Sequence, residues 1–392
     1  MLTLKLAFKN VTKAGLRTWL NVLILSFAYV LIIWTDGLYD GMSKQVVGDM
    51  IDMEIGGGQF WERNYDKFDP FTIDDAYAPI PENLEELVKN NEATPVLFRA
   101  SVIFPQGRVQ SAILKGIDPN QKVLKFPSEY LNTGESDYIP GLIGSRMAKN
   151  SGLKNGDIVT VRWQDVNGTF DATDIEIVNV ISSYVQTIDN GQIWIPLKSL
   201  QEMIGATNVA TVIVLHKDIE TIPSGSPLWE FKDHNFLLAD FYNYLDRKGM
   251  GSAIMYGLLM AMALLAIFDT QVLAIFRRRK EMGTMMALGM TRGGVIRLFT
   301  LEGTMHGILA IIIGTIYGLP ILYFSAVNGI AMPEAVEQVG LSLNSTLYPV
   351  YGIGLFLSTS LIMFISVIVV SFLPTRKIAR LNPTDALRGK IA

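Results

Sequence analysis

Leu347-Tyr-Pro-Val-Tyr-Gly-Ile-Gly-Leu-Phe-Leu-Ser-Thr-Ser-Leu-Ile-Met-Phe-Ile-Ser-Val-Ile-Val-Val-Ser-Phe-Leu373 contains no charged residue. A bilayer core needs about 20 helical residues, and this run exceeds that. Three more runs share its character. Leu16–Leu38 has no charge between Arg17 and Asp36, Met250–Phe276 is broken only by Asp269, and Leu298–Val327 carries Glu302 and His306 near its start. One such run is compatible with a buried core helix; four together predict transmembrane helices over 16–38, 250–276, 298–327 and 347–373. The first run is too long, and its flank too poor in small residues, for a cleaved signal peptide, so it reads as an uncleaved anchor. The composition agrees: 49% of the 392 residues are hydrophobic and only 18% are charged, against about 25% charged in soluble domains. Cysteine is absent, which excludes a disulfide framework, a thiol nucleophile and any cysteine metal site.

The charges around these runs are sorted. Residues 1–35, the 277–297 loop and the tail after Leu373 together hold 15 basic residues and two acidic ones. Segment 36–249 holds 18 basic and 31 acidic residues. The positive-inside rule then places both termini and the 277–297 loop in the cytoplasm, and 39–249 and the 328–346 loop outside. The net charge of −4 is a cancellation between these halves and gives no reason to expect nucleic acid. Lys5, Lys9, Lys13 and Arg17 recur every fourth residue, which predicts a cytoplasmic amphipathic elbow helix over 1–15 on the lipid surface.

The outward segment 39–249 reads as α+β. Alternation predicts strands at Ile51–Ile55, Val109–Ile117, Asp157–Trp163, Ile175–Ile181 and Val209–Leu215. Short helices fit Glu82–Asn90, Gly144–Asn150 and Leu197–Met203, with 39–50 as a helical stalk and an inserted lobe near 95–205. The fold class is therefore an α-helical membrane protein with four transmembrane helices and a large α+β extracytoplasmic domain inserted between helices 1 and 2. Catalytic patterns are lacking. His216, His234 and His306 have no metal-ligand spacing, so no metal site is expected. Gly56-Gly57-Gly58 reads as a bend, and neither a phosphate-binding loop nor a nucleophile elbow occurs. The chain is not expected to be an enzyme.

The 277–297 loop is the most informative segment. Arg277–Lys280 form a basic anchor, Met282–Leu288 a short apolar helix, and Gly289 a stop before a second helix enters the third span. An apolar face in a cytoplasmic loop predicts a partner that covers it or a helix lying on the membrane surface. Arg278, Arg279, Glu281, Met282, Gly283, Ala287, Leu288 and Gly289, followed by Glu302-Gly303, resemble the loop of the FtsX/MacB/Lol permease family of ABC transporters. The tail Asn382-Pro-Thr-Asp-Ala-Leu-Arg388 and the opening Ala7–Asn10 with Leu16–Thr18 fit the same family. Ile113–Pro119, Gly144–Ala148, Gly152–Asp157 and Ile195–Gln201 more loosely resemble the lipoprotein-releasing LolC/LolE branch.

The resemblance implies a permease that dimerises with a second permease subunit, as a homo- or heterodimer, in the bacterial inner membrane. A separate ABC ATPase subunit would bind ATP and Mg, this chain holding no cofactor. That ATPase would dock on the loop residues just named together with Arg292. Its cycle would move the outward domains by mechanotransmission, extracting lipoproteins toward a periplasmic carrier or adaptor. MacB-like tripartite efflux and FtsX-like signalling to a cell-wall hydrolase are the alternatives.

Within the spans, Gly303, Gly307, Gly314 and Gly318 lie on one helical face and allow close packing, either inside one subunit or between two. Glu302 and His306, four apart, either pair or leave Glu302 at the interface. Asp269 is expected to pair with the Arg277–Lys280 cluster. Tyr29, Trp34, Met255 and Leu259 are candidates for a greasy substrate cavity lined by the outer halves of the first two spans.

Overall fold

The computed structural model describes residues 16–133, 137–181, 186–219, 221–223, 225–331 and 346–378. The elbow helix over 1–15, the interior of the 328–346 loop and the tail motif after Ile378 lie outside the described residues. The described chain divides into two units, one of 16–42, 245–331 and 346–378, the other of 43–244.

The first unit is a bundle. Its helices are α1 (Leu16–Met50), which continues into the second unit, and, after α2 (Glu82–Lys89), α3 (Ser145–Ser151) and α4 (Leu197–Ile204) of the other unit, α5 (Ala239–Arg277), α6 (Arg279–Ala287), α7 (Arg292–Asn328) and α8 (Ile353–Ile378). Among the described residues, α1, α5, α7 and α8 are long and apolar enough to cross a membrane. The shared core holds Leu25, Tyr29 and Ile33 of α1, Ala263 and Ile267 of α5, Ala310 of α7 and Val367 of α8. The opposite faces are apolar and uncovered, as with Leu258 and Leu265 on α5 and Leu361 and Ile365 on α8. A soluble bundle would be polar there; hydrocarbon is the solvent that suits this surface. Side-chain hydrogen bonds cross the bundle from Tyr29 Oη to Ser360 Oγ (2.9 Å) and between Ser325 Oγ and Tyr351 Oη (2.9 Å).

The fourth helix starts later than the apolar run. Leu347 sits in β13 (Thr346–Leu347), paired with β12 (Ile330–Ala331), and α8 begins at Ile353. Pro349 explains the delay, since a residue before proline is pushed out of the helical region and the ring supplies no N–H.

The second unit is built on one nine-stranded sheet in the order β11-β1-β10-β3-β4-β8-β5-β7-β6, with β6 also paired back to β3. The strands are β1 (Gln59–Glu62), β3 (Ala93–Ile103), β4 (Gln110–Ile117), β5 (Ile139–Gly144), β6 (Ile158–Gln164), β7 (Phe170–Ile181), β8 (Gln192–Pro196), β10 (Val212–Leu215) and β11 (Trp229–Lys232); a small pair, β2 (Ala78–Pro79) and β9 (Val209–Ala210), stands apart. Strands β3-β4-β8-β5-β7-β6 close on themselves because Ser101–Ile103 of β3 pair with Val161–Trp163 of β6. Closure removes the open edges. Alternate residues Leu97, Leu114, Ile143, Val161, Ile175 and Ile193 fill the interior, as the period of two requires. The barrel strands run from 93 to 196, so the expected inserted lobe near 95–205 is this closed part, joined to β10, β1 and β11 in one sheet.

Ile51–Ile55 corrects the sequence reading. It is a wide helical turn, closed by Gly56 N–H donating to Ile51 O at 2.8 Å, and not a strand. The chain arrives there already helical, and extending a helix costs less than nucleating a strand. Its alternation has another use: Ile55 is buried, while Asp52 meets Lys125 and Lys217 and Glu54 meets Lys115. The bend follows at once. Gly56 and Gly58 have φ of 61° and 123°, and a Cβ on Gly56 would stand 2.2 Å from Leu215 O.

A second close approach fixes α3. A Cβ on Gly144 would meet Asp189 Cα at 2.3 Å. Asp189 Oδ1, fully buried, accepts from Ser145 Oγ (2.9 Å) and Arg146 N (3.1 Å), capping the helix from 44 residues away. Asp189→Ala should therefore lower the stability of this unit by about 2 kcal/mol. Thermal unfolding of the purified chain checks this, and Asp189→Asn should recover part of the loss.

Candidate functional site

The loop between α5 and α7 is built around Arg278. The backbone runs through it almost without a break: Arg278 N–H donates to Ala274 O at 3.0 Å, and Met282 N–H donates to Arg278 O at 3.0 Å. The helix α6 ends at Ala287, where Gly289 takes φ 98°. There Gly289 N–H reaches Met286 O (3.1 Å) and Met290 N–H reaches Met285 O (3.0 Å). This pair of bonds satisfies carbonyls that a helix end otherwise leaves open, and it needs glycine at the left-handed position. Thr291 then starts α7, its side chain accepting from Gly294 N at 3.2 Å.

The side chain of Arg278 ties these pieces together. Its Nε donates to Glu281 Oε2 at 2.7 Å, and its Nη1 donates to Glu302 Oε1 and Oε2 at 2.7 and 2.8 Å. The guanidinium lies 4.9 Å from the Phe299 ring centroid. One arginine thus holds the loop helix and the start of the third long helix at once. Lysine has the charge but not the fork that makes this geometry.

The apolar face of α6 is covered from within the chain. Met282 is buried with Ile275, Val295 and Phe299, and Met286 and Met290 pack on the same cluster. The expectation that this face needs an outside partner is corrected for Met282 and Gly283, both buried. The face is short enough for the ends of α5 and α7 to close over it. What stays open is the tip: Ala287, Leu288, Gly289 and Arg292 are exposed, Leu288 by 83%. Glu281 is exposed as well, and of Arg279 the structure describes only the backbone.

Deeper in the bundle, the glycine face of α7 is occupied by helices of the same chain. Ideal Cβ atoms on Gly303 and Gly307 would meet Ser371 Oγ at 2.3 Å and Val367 at 3.2 Å on α8. Those on Gly314 and Gly318 would meet Tyr29 at 2.9 Å and Val30 at 2.7 Å on α1. These positions face inward, so a second subunit would have to be met by other residues.

Neither the Glu302–His306 pairing that the sequence left open nor the expected pairing of Asp269 with the basic cluster forms among the described residues. Glu302 pairs with Arg278, while His306 Nδ1 faces the backbone carbonyls of Glu302 and Gly303 at 3.2 Å each. Asp269 is exposed and forms no ion pair. Eight to eleven helical residues separate it from Arg277–Lys280, about 12–16 Å along the axis, and Arg278 is turned the other way. Nor do Tyr29, Trp34, Met255 and Leu259 gather. Tyr29 is buried against Gly314, Trp34 packs half-buried on the same core, Leu259 is half-buried, and Met255 lies on the uncovered face. Arg278–Glu302 escaped sequence reading because 24 positions separate the partners. The one signal was an acid at the entry of an apolar run that follows a basic cluster.

Residues 253–383 match the family model of the FtsX-like permease C-terminal domain. The chain is 23% identical over 306 residues to the lipoprotein-releasing system transmembrane protein LolC of Xylella fastidiosa, covering 72% of this chain and 74% of LolC. It is 25% identical over 264 residues to the uncharacterized ABC transporter permease YknZ of Bacillus subtilis, covering 63% and 61%. It is 22% identical over 414 residues to the macrolide export ATP-binding/permease protein MacB of Haemophilus ducreyi, covering 97% of this chain but 55% of MacB. Among solved structures, the periplasmic region of MacB from Actinobacillus actinomycetemcomitans aligns over 51% of this chain and 98% of that region, at 10% identity and a TM-score of 0.31. The long apolar helices, the loop pattern around Arg278 and the match over 253–383 point the same way: residues 253–383 match the FtsX-like permease C-terminal family, and the chain is similar to ABC transporter permeases of the FtsX/LolC/MacB type.

Proposed function

We propose that the chain is the membrane subunit of an ATP-driven machine that extracts lipoproteins from the outer leaflet of the bacterial inner membrane. Both termini and the 277–297 loop lie in the cytoplasm, and the β-rich unit faces the periplasm. A separate ATPase subunit, which binds the ATP and Mg, docks on the exposed loop residues Glu281, Ala287, Leu288, Gly289 and Arg292. Arg278 relays its movement to α7 through Glu302, and a second permease subunit completes the cavity. The observation that carries this reading is the double tie of Arg278 to Glu281 and Glu302, which makes the loop a handle on a membrane helix. The likeness to LolC, whose name describes a lipoprotein-releasing system, supports a lipoprotein as the cargo. Extraction needs an energy source, because each buried CH₂ of an acyl anchor holds by about 0.8 kcal/mol. The alignment with MacB over 97% of this chain favours a second reading, export through a periplasmic adaptor.

The test is co-purification with the ATPase subunit in lipid, followed by an assay for release of a lipidated substrate to a soluble carrier. ATP-dependent release supports extraction. ATP turnover stimulated by lipoprotein with none leaving the membrane contradicts it. Glu281→Lys reverses the charge beside Arg278 and should reduce ATPase co-purification at least several-fold. Retention at the wild-type level would remove the loop from the docking site.

A further inference from the structure

The β-rich unit holds a cavity that the transport reading does not use. Phe98, Lys115, Trp194 and Leu142 are successive neighbours across β3, β4, β8 and β5, on the outer face of the barrel. A lysine in a buried sheet row is unexpected. Its Nζ lies 4.6 Å from the Phe98 ring, 4.8 Å from the Trp194 ring and 3.2 Å from Glu54 Oε1. Burial pushes this ammonium below its ordinary pKa, against the pull of Glu54. The charges cancel as a pair, so the row offers a ligand no net charge.

Beside it lies a space of about 410 Å³, within the range of small-molecule sites. Its walls are largely apolar, with Trp61, Phe98, Val212 and Leu237 among them, and Met50 and Phe241 close it from the ends of α1 and α5. Lys67 and Asp240, also lining it, form an ion pair at 2.5 Å. Two lining side chains keep buried polar atoms without a partner: Nε1 of Trp194, a donor, and Oε1 of Gln192, an acceptor. These residues are 2% and 8% exposed. They sit on one strand, two positions apart, and so face the same side.

An unpaired buried donor or acceptor costs about 1–3 kcal/mol. A pure hydrocarbon would leave both unpaired. A carboxylate would bring only acceptors toward Gln192 Oε1 and a second anion toward Glu54. A secondary amide supplies a carbonyl for Trp194 and an N–H for Gln192, and alkyl groups on either side suit the walls. We propose that this cavity is a binding site for an uncharged apolar molecule bearing one secondary amide.

The test uses the full chain in lipid nanodiscs, with empty nanodiscs subtracted. N-ethylhexanamide is titrated calorimetrically against ethyl hexanoate, the ester that lacks the N–H. The amide should bind saturably and about tenfold tighter than the ester. Gln192→Met should erase that preference, and Trp194→Phe should weaken both ligands about fivefold. Gln192→Met removes an unpaired polar atom at nearly constant volume, so it should melt at or above the wild-type temperature. Absence of saturable amide binding to the wild type would overturn the proposal, as would an unchanged amide preference in Gln192→Met.

Discussion

Arg278→Ala is expected to disconnect ATP use from transport. Glu302 is largely buried, its side chain 12% exposed, and the substitution leaves it without the two hydrogen bonds at 2.7 and 2.8 Å. Removing one partner of a buried pair costs about 3–5 kcal/mol, and the partial exposure of Arg278 lowers this to about 2–3 kcal/mol. The loop tip is untouched, so the ATPase subunit should still bind and turn over. Cargo release should fall more than tenfold. Arg278→Lys should give an intermediate loss, because lysine reaches one carboxylate oxygen but cannot span two acids with a planar fork. Parallel measurement of ATP hydrolysis and release separates this outcome from simple unfolding, which would lower both.

Gly314→Leu is expected to destabilise the helix bundle strongly. Its first added atom alone would lie 2.9 Å from Tyr29 and 3.3 Å from Ser26 O. Tyr29 cannot yield freely, since it is buried and hydrogen-bonded to Ser360. Overpacking of this kind costs about 1–3 kcal/mol, and loss of the Tyr29–Ser360 bond adds about 1 kcal/mol. A fall in the thermal midpoint of the detergent-solubilised chain measures it. Gly257→Leu is the control: no atom outside its own helix lies within 4 Å of that position, so the midpoint should not move.

Two glycines mark the limits of what a sequence discloses. Gly289 and Gly314 were both legible as glycines with a purpose, one by its place after a short apolar helix, the other by spacing along a span. Which helix each glycine meets was not legible, because periodicity reports the face of an element and not its neighbour. The same limit hid Arg278–Glu302 and the capping of α3 by Asp189, both long-range. Ile51–Ile55 misled for a different reason. Alternation over five residues is short enough for a helical turn to share, and the preceding helix decided the outcome. Tyr29 is buried and Met255 lies on the uncovered face, a difference that was not legible because large apolar residues in a span carry no mark separating core from lipid face. Lys115 had a mark, a base in a run of Ile113-Leu-Lys-Gly-Ile117, but its aromatic neighbours come from other strands.

The chain has no cysteine, so a single introduced cysteine reports on its own surroundings alone. The most direct test of the account is Leu288→Cys at the exposed loop tip, treated with a short bifunctional thiol-to-amine cross-linker in membranes containing the ATPase subunit. The account predicts a cross-link to that subunit that changes in yield when ATP is added. Tyr323→Cys, on the uncovered face of α7, should give none. A Leu288→Cys chain that still co-purifies with the ATPase but never cross-links to it would contradict the claim that this loop is the handle.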